Sequence, residues 1–214
     1  MNRVFTFGSD RRWREKAVNE VLKNDPRHIL DICTGTGDLI LAIGERASSE
    51  VSLTGYDFSS QMLQKAREKS RKINNRISFI EGDVASMPFK DKQFDSAGIT
   101  FGIRNLVYQN SHAQQHLSEI YRVMKPGGRF VVLESSKPGN PVWRFFNGIY
   151  LRFILPYLGG ILSGNLNAYR YLAKSSRDYY TIREMTDILR KAGFEVVNTK
   201  SLFLGSVMLV TAEK

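Results

Sequence analysis

Three aspartates, Asp31, Asp57 and Asp83, each stand at or near the end of an apolar run, and the first is followed closely by Gly35 and Gly37. Carboxylates at the carboxyl ends of parallel strands suit a ligand that offers several hydrogen-bond donors along its length. Asp31 can meet an ammonium group, directly or through water. Asp57, about twenty residues beyond the glycines, can accept from both hydroxyls of a ribose. Asp83, with the backbone amide of Val84 beside it, can read the amine edge and a ring nitrogen of adenine. The two glycines leave no side chain in the way, so backbone N–H groups approach a ligand closely and the following helix points its positive end there.

A dinucleotide fingerprint wants a third glycine where this chain has Ile40, so a pyrophosphate is disfavoured. An adenosine bearing an amino acid fits better, which is S-adenosylmethionine. Each feature also has a plainer meaning. A glycine turn can be a tight connection in any α/β protein, and Asp57 can be a helix cap or a surface acid.

These residues need strands that end together and helices between them. Ile29, Leu30 and Ile32 suit a strand covered on both faces, and Asp38 can cap the helix that follows. Strands are expected over 51–57, 77–80, 94–99 and 130–133, and a final antiparallel pair over 196–202 and 207–211 around Gly205. Asp10 can cap a helix from 11 to about 22. Ser59 opens one to residue 72, with Met62, Leu63 and Ala66 inward and five basic residues on a solvated face. Leu117, Ile120, Tyr121 and Met124 mark another, ended by Lys125-Pro-Gly-Gly. His112 and His116 lie on that helix; with no third ligand, they read as surface residues rather than a metal pair. Thr181 and Glu184 form a capping box for a helix to Ala192, stopped by Gly193. The sum is an α/β fold: a Rossmann-like, mostly parallel sheet of seven strands, helices on both faces, an antiparallel last strand, and a helical insertion after strand 5. Residues 1–214 read as one domain, with 135–180 as a substrate-binding insertion.

The strand-to-loop segment from Thr100 to Asn105 reaches the same sheet edge, where substrate should meet cofactor. Beyond Ser135 the alternation of strand and helix stops. Residues 135–177 carry six basic and no acidic side chains, interleaved with aromatics such as Trp143, Phe145, Phe146 and Tyr157. Such a field attracts anionic lipid or nucleic acid. The net charge is +10, and the second half carries 14 basic and 7 acidic residues against 17 and 14 in the first. The one cysteine, Cys33, excludes an internal disulfide framework and suits a reducing compartment. No export signal is visible, and the apolar stretch 149–162, broken by Arg152 and Pro156, is too short to span a bilayer.

The chain resembles the class I methyltransferases of menaquinone and ubiquinone synthesis that methylate a quinol ring carbon. The resemblance rests on Asp10-Arg-Arg-Trp-Arg, the 31–39 turn, Phe101-Gly-Ile-Arg-Asn, Tyr121-Arg-Val-Met-Lys-Pro-Gly-Gly, Leu133-Glu-Ser-Ser-Lys-Pro and Ala168-Tyr-Arg-Tyr-Leu-Ala-Lys-Ser. It covers nearly the whole chain. The family's Tyr-Asp segment, which helps close over the cofactor, does not precede Met1 here, and Tyr179-Tyr180 replaces a Phe-Pro type of helix entry. The resemblance implies that Asp31, Gly35, Thr36 and Gly37 hold the methionine part, Asp57 with Phe58 the ribose, and Asp83 with Val84 the adenine. Thr100 would sit beneath the sulfonium. Arg104 and Asn105, helped by Tyr169 and Arg170, would stabilise a developing phenolate; alternatively, Arg104 clamps a neighbouring carboxylate. No metal is required. The implied substrate is a prenylated quinol, foremost demethylmenaquinol, with a ubiquinone precursor as alternative. The implied place is the bacterial cytoplasm at the inner membrane surface, with no nucleic acid as partner and a homodimer left open. RNA methylation and a non-catalytic, cofactor-binding subunit of a quinone-synthesis complex are the competing functions.

Overall fold

The computed structural model describes residues 9–71, 73, 77–149 and 179–214. Tyr169, Arg170 and most of the 135–180 segment lie outside them, as do Val4, Phe5 and Phe7. In chain order the elements are α1 (Ser9–Val21), β1 (His28–Ile32), α2 (Asp38–Gly44), β2 (Ser52–Asp57), α3 (Ser60–Ser70) and β3 (Ile77–Glu81). A 3₁₀ turn (Val84–Ser86) leads to β4 (Phe94–Thr100), α4 (Ile103–Val107), α5 (Ala113–Val123), β5 (Met124–Ser135) and α6 (Pro141–Ile149). After the undescribed stretch come α7 (Ile182–Lys191), β6 (Glu195–Leu202) and β7 (Val207–Glu213).

Among the described residues seven strands pair in the order β3-β2-β1-β4-β5-β7-β6. The first five are parallel, and β7 runs antiparallel to both of its neighbours. Strand order reverses between β1 and β4, so the loops after these two strands diverge and leave a crevice at the carboxyl edge.

Strand alternation builds the two layers. Ile29 points to a cluster made with Trp13, Ala17, Val18 and Val21 of α1 and Leu39, Ile40 and Ile43 of α2. Leu30 and Ile32 point the other way, into the cluster that Ile120 and Val123 of α5 and, further along the sheet, Met185 and Leu189 of α7 also join. Asp31 shares its side of β1 with Ile29, under α1 and α2. Phe89 plugs the second layer edge-on against Tyr56 and Phe94, at 5.3 and 5.0 Å between ring centroids. Tyr179 is fully buried there too, in a triangle with Tyr108 and Tyr180.

Several local expectations need correction. Gly37, in a left-handed conformation (φ 81°), is the N-cap of α2 and makes no side-chain cap bond; Asp38 is the first helical residue, its carboxylate drawn outward to Lys69 Nζ at 2.8 Å. Asp10 likewise lies inside the first turn of α1, which starts at Ser9. Met62 is 43% exposed, because the inward face of α3 is only Leu63 and Ala66 wide. The Lys125-Pro-Gly-Gly stretch is taken into a long β5 that starts at Met124, with an irregularity in its pairing to β4 between Phe94 and Ser96. The capping box at Thr181 and Glu184 forms as read, both hydrogen bonds present.

Candidate cofactor site

The turn after β1 is wired to its neighbours by carboxylates. Asp31 Oδ2 accepts from the Thr34 hydroxyl at 2.6 Å and the Ile40 amide at 3.2 Å. Asp57 Oδ2 accepts from the Gly35 amide at 2.8 Å and Oδ1 from the Ser59 amide at 2.9 Å, so one side chain at the end of β2 holds both the glycine turn and the cap of α3. The Gly37 amide is used within the turn, donating to the Thr34 carbonyl at 2.9 Å. Neither glycine therefore offers its N–H outward, contrary to the sequence expectation. What the glycines supply is backbone shape, with Gly35 at φ 55° and Gly37 at φ 81°, where a Cβ would lie 3.1 Å from that of Ala66. Cys33 and Phe101 also adopt positive φ, 53° and 55°, at the ends of β1 and β4. These strained residues face one another's loops, and a Cβ on Gly102 would lie 2.6 Å from Cys33 Cβ.

Asp31 is 1% exposed, and among the described residues its Oδ1 has no hydrogen-bond partner. Burial pushes its pKa up to about 7, against the pull of the Thr34 hydroxyl, the Ile40 amide and the positive charge of Arg14. A buried carboxylate oxygen without a donor is a ready acceptor for an ammonium. Burial also pushes the Cys33 thiol upward, reinforced by Asp57 and Asp31, so Cys33 packs as a neutral thiol and is no nucleophile.

A cavity of about 400 Å³ opens beside this turn, and its wall brings together Asp57, Phe58, Asp83 and Val84. Gly82, Ala85, Cys33, Leu106, Asn110 and Gln115 complete it with two histidines, His112 and His116. Phe58 is 79% exposed, an aromatic ring left in water next to Asp57. Asp83 caps the 3₁₀ turn through the Ala85 amide at 2.9 Å, and its own carbonyl accepts from the Tyr56 hydroxyl at 3.0 Å. The loop behind it is pinned from α5: Arg122 donates to the carbonyls of Phe89 and Met87, and Glu119 accepts from the Met87 amide.

His116 corrects the surface reading, whereas His112 is exposed as expected. His116 is buried, its Nδ1 donates to the Leu106 carbonyl at 2.9 Å, and its Nε2 lies 3.7 Å from Asp83 Oδ1. The signal was present in the spacing, since His116 shares the inward face of α5 with Ile120 and Val123. Among the described residues no group of three metal-ligating side chains exists.

Thr100 ends β4, and the loop beyond it leads into α4. Arg104 is buried, with Nη1 4.0 Å from Glu134 Oε1, while its backbone amide reaches Glu134 Oε2 at 3.4 Å. Glu134 is fully buried at the end of β5; burial raises its pKa, opposed first by Arg104 and then by the Ser135 amide. Of the two roles open to Arg104, this geometry builds the clamp. Asn105 is exposed on the same turn. None of Asp31, Thr100, Arg104 or Asn105 lines the 400 Å³ cavity; they stand along the carboxyl edge beside it.

The model of the ubiE/COQ5 methyltransferase family matches residues 1–214. The chain belongs to that family. It is 40% identical over 196 residues to a demethylmenaquinone methyltransferase of Thermus thermophilus, covering 92% of this chain and 87% of that protein. It is 38% identical over 216 residues to a ubiquinone/menaquinone biosynthesis C-methyltransferase of Geotalea daltonii, covering 100% and 90%. Among solved structures, a SAM-dependent methyltransferase from Aquifex aeolicus shares the fold with a TM-score of 0.65 at 20% identity, covering 93% of this chain and 88% of that one. The protein is a methyltransferase and its cofactor is S-adenosylmethionine. The site fits that cofactor at both ends: an unpartnered buried acid beside the turn, and an acid-lined cavity with an exposed aromatic ring.

Proposed function

We propose that this methyltransferase transfers a methyl group to a ring carbon of a prenylated quinol, demethylmenaquinol foremost and a ubiquinone precursor as the alternative. The observation that carries the proposal is the family loop 101–105 at the sheet's switch point, locked by the Gly102–Cys33 approach and by the buried Arg104–Glu134 pair. It is supported by relatives named for that reaction across nearly the whole chain.

The cofactor supplies an electrophilic methyl group. The chain's own residues have three tasks. Asp57, Phe58, Asp83 and Val84 hold the adenosine, and Asp31 with the 35–37 turn fixes the amino-acid end. Thr100 and the clamped loop hold the ring carbon in line with the methyl group, because positioning lowers the barrier by removing the entropy of encounter. A quinol carbon becomes nucleophilic as a neighbouring hydroxyl loses its proton to water. The new carbon–methyl bond would form as the sulfur–methyl bond breaks to leave a neutral thioether, and the ring carbon's own hydrogen would then leave as a proton to restore the aromatic ring. Asn105, on the turn that the Arg104–Glu134 clamp holds in place, offers a hydrogen-bond donor to the hydroxyl oxygen, so the phenolate is stabilised where it forms. Tyr169 and Arg170 belong to the same role from the 135–180 insertion.

The chain works, in this proposal, at a membrane surface. Among the described residues no helix is long and apolar enough to cross a membrane. On α6, however, Val142, Phe145 and Phe146 are 64, 66 and 56% exposed, and Leu204 is 69% exposed. Trp143 joins the two regions, stacking edge-on against Phe203 and donating to the Ser206 hydroxyl at 3.0 Å. An apolar face among basic residues binds anionic bilayers. The test offers quinol in anionic vesicles and, separately, bulk RNA. Methylated quinol with silent RNA supports the proposal; methylated RNA with silent quinol refutes it.

A further inference from the structure

S-adenosylmethionine ends in a zwitterion, an ammonium and a carboxylate on one carbon, and Asp31 answers only the ammonium. We infer that Arg14, on the second turn of α1, is the receptor for the carboxylate; the inference rests on the cofactor site described above. Arg14 lies close enough to Asp31 for its charge to lower the acid's pKa. Its side chain is 14% exposed, and among the described residues its Nε is buried with no hydrogen-bond partner. The guanidinium stands 3.7 Å from Asp10 and 3.7 Å from Asp38, which is charge contact beyond hydrogen-bond range. Two unpartnered buried atoms of opposite charge thus flank one glycine turn, Oδ1 of Asp31 and Nε of Arg14.

The neighbouring cation is less suited. Lys69 is 46% exposed and already committed, at 2.8 Å to the Thr36 hydroxyl and 2.8 Å to Asp38 Oδ1. That commitment releases Arg14, because Asp38 keeps a cation when Arg14 turns to the ligand. A guanidinium also binds a carboxylate in a two-bond fork that an ammonium lacks. Trp13 of the same helix turn is packed in the core against Phe203, so the backbone carrying Arg14 is fixed in place.

The experiment compares equilibrium binding of S-adenosylmethionine and decarboxylated S-adenosylmethionine, which keeps the sulfonium and the amine but has no carboxylate. The native chain is expected to prefer the intact cofactor by about 10- to 100-fold, the yield of one charge-assisted pair. Arg14→Gln should abolish that preference while leaving affinity for the decarboxylated compound within about twofold. Arg14→Lys, which keeps the charge without the fork, should retain part of it and serves if the Gln variant does not fold. Equal loss for both ligands in either variant, no preference in the native chain, or a preference that disappears in Lys69→Gln and persists in Arg14→Gln would each overturn the inference. A native chain that binds neither ligand would overturn the cofactor site itself.

Discussion

Replacing Asp31 by Asn should remove one pH-dependent contribution to stability and leave the others in place. Asp31 is 1% exposed and its pKa is pushed up to about 7 by burial, from an ordinary carboxyl value of 3.8. The folded chain therefore keeps the proton over a window in which the unfolded chain has released it. The contribution of this group is full below pH about 4 and is lost as pH rises through about 7. At about 1.4 kcal/mol per pH unit, the loss across the window amounts to about 4 kcal/mol. Asn has the same shape, its carbonyl can accept from the Thr34 hydroxyl and the Ile40 amide, and it carries no proton to lose. Urea unfolding of both proteins at pH 4, 5, 6, 7 and 8 gives the difference directly, and groups common to both cancel. The variant should match the native chain near pH 4 and exceed it by roughly 4 kcal/mol at pH 8, about 2 M in urea midpoint for a domain with an ordinary denaturant slope. Cofactor affinity should fall, since the ammonium loses its carboxylate. A difference that stays constant from pH 4 to 8 would refute the reasoning, because it would mean that Asp31 is ionised throughout and that Arg14 alone neutralises it.

Other consequences follow from single contacts. Phe58→Ala removes a ring that is 79% exposed, so the unfolding midpoint should move by less than about 0.5 kcal/mol while cofactor affinity falls about tenfold, read by calorimetry. Gly102→Ala forces a Cβ to 2.6 Å from Cys33 Cβ; it should cost about 1–3 kcal/mol in thermal or urea unfolding and depress turnover more than cofactor binding, because it pushes the substrate loop off the glycine turn. Arg104→Gln leaves Glu134 buried without its countercharge, which should cost about 3 kcal/mol of stability and lower kcat with cofactor affinity retained. Unchanged stability in that variant, measured by urea unfolding, would show that the pair is no clamp.

Periodicity placed all seven strands, because buried parallel strands are short apolar runs and each ends at a polar turn. It misplaced what depends on three-dimensional competition for a side chain. Asp38 has the type of a cap, yet Lys69 from α3 and Arg14 from α1 draw its carboxylate away, and no sequence spacing connects those three. Helix α5 does stop before Pro126 and its glycines, as expected, but β5 absorbs them through an irregular pairing with β4. The residues expected to act together on an adenosine do come together, since Asp57, Phe58, Asp83 and Val84 share a cavity wall. The inner wiring was hidden: Asp57 spends hydrogen bonds on Gly35 and Ser59, a tertiary fact. So was the partner of Arg104, thirty residues away at the end of another strand, whereas the burial of His116 follows from its place on the apolar face of α5 with Ile120 and Val123.

The most direct measurement supplies the chain with isotopically labelled S-adenosylmethionine and chemically reduced demethylmenaquinol, then locates the label by mass spectrometry. Label on a ring carbon, with the oxidised quinone inert, is the expected result. Cofactor bound but no label on the reduced ring, or label on a hydroxyl oxygen, would contradict C-methylation of a quinol by this site.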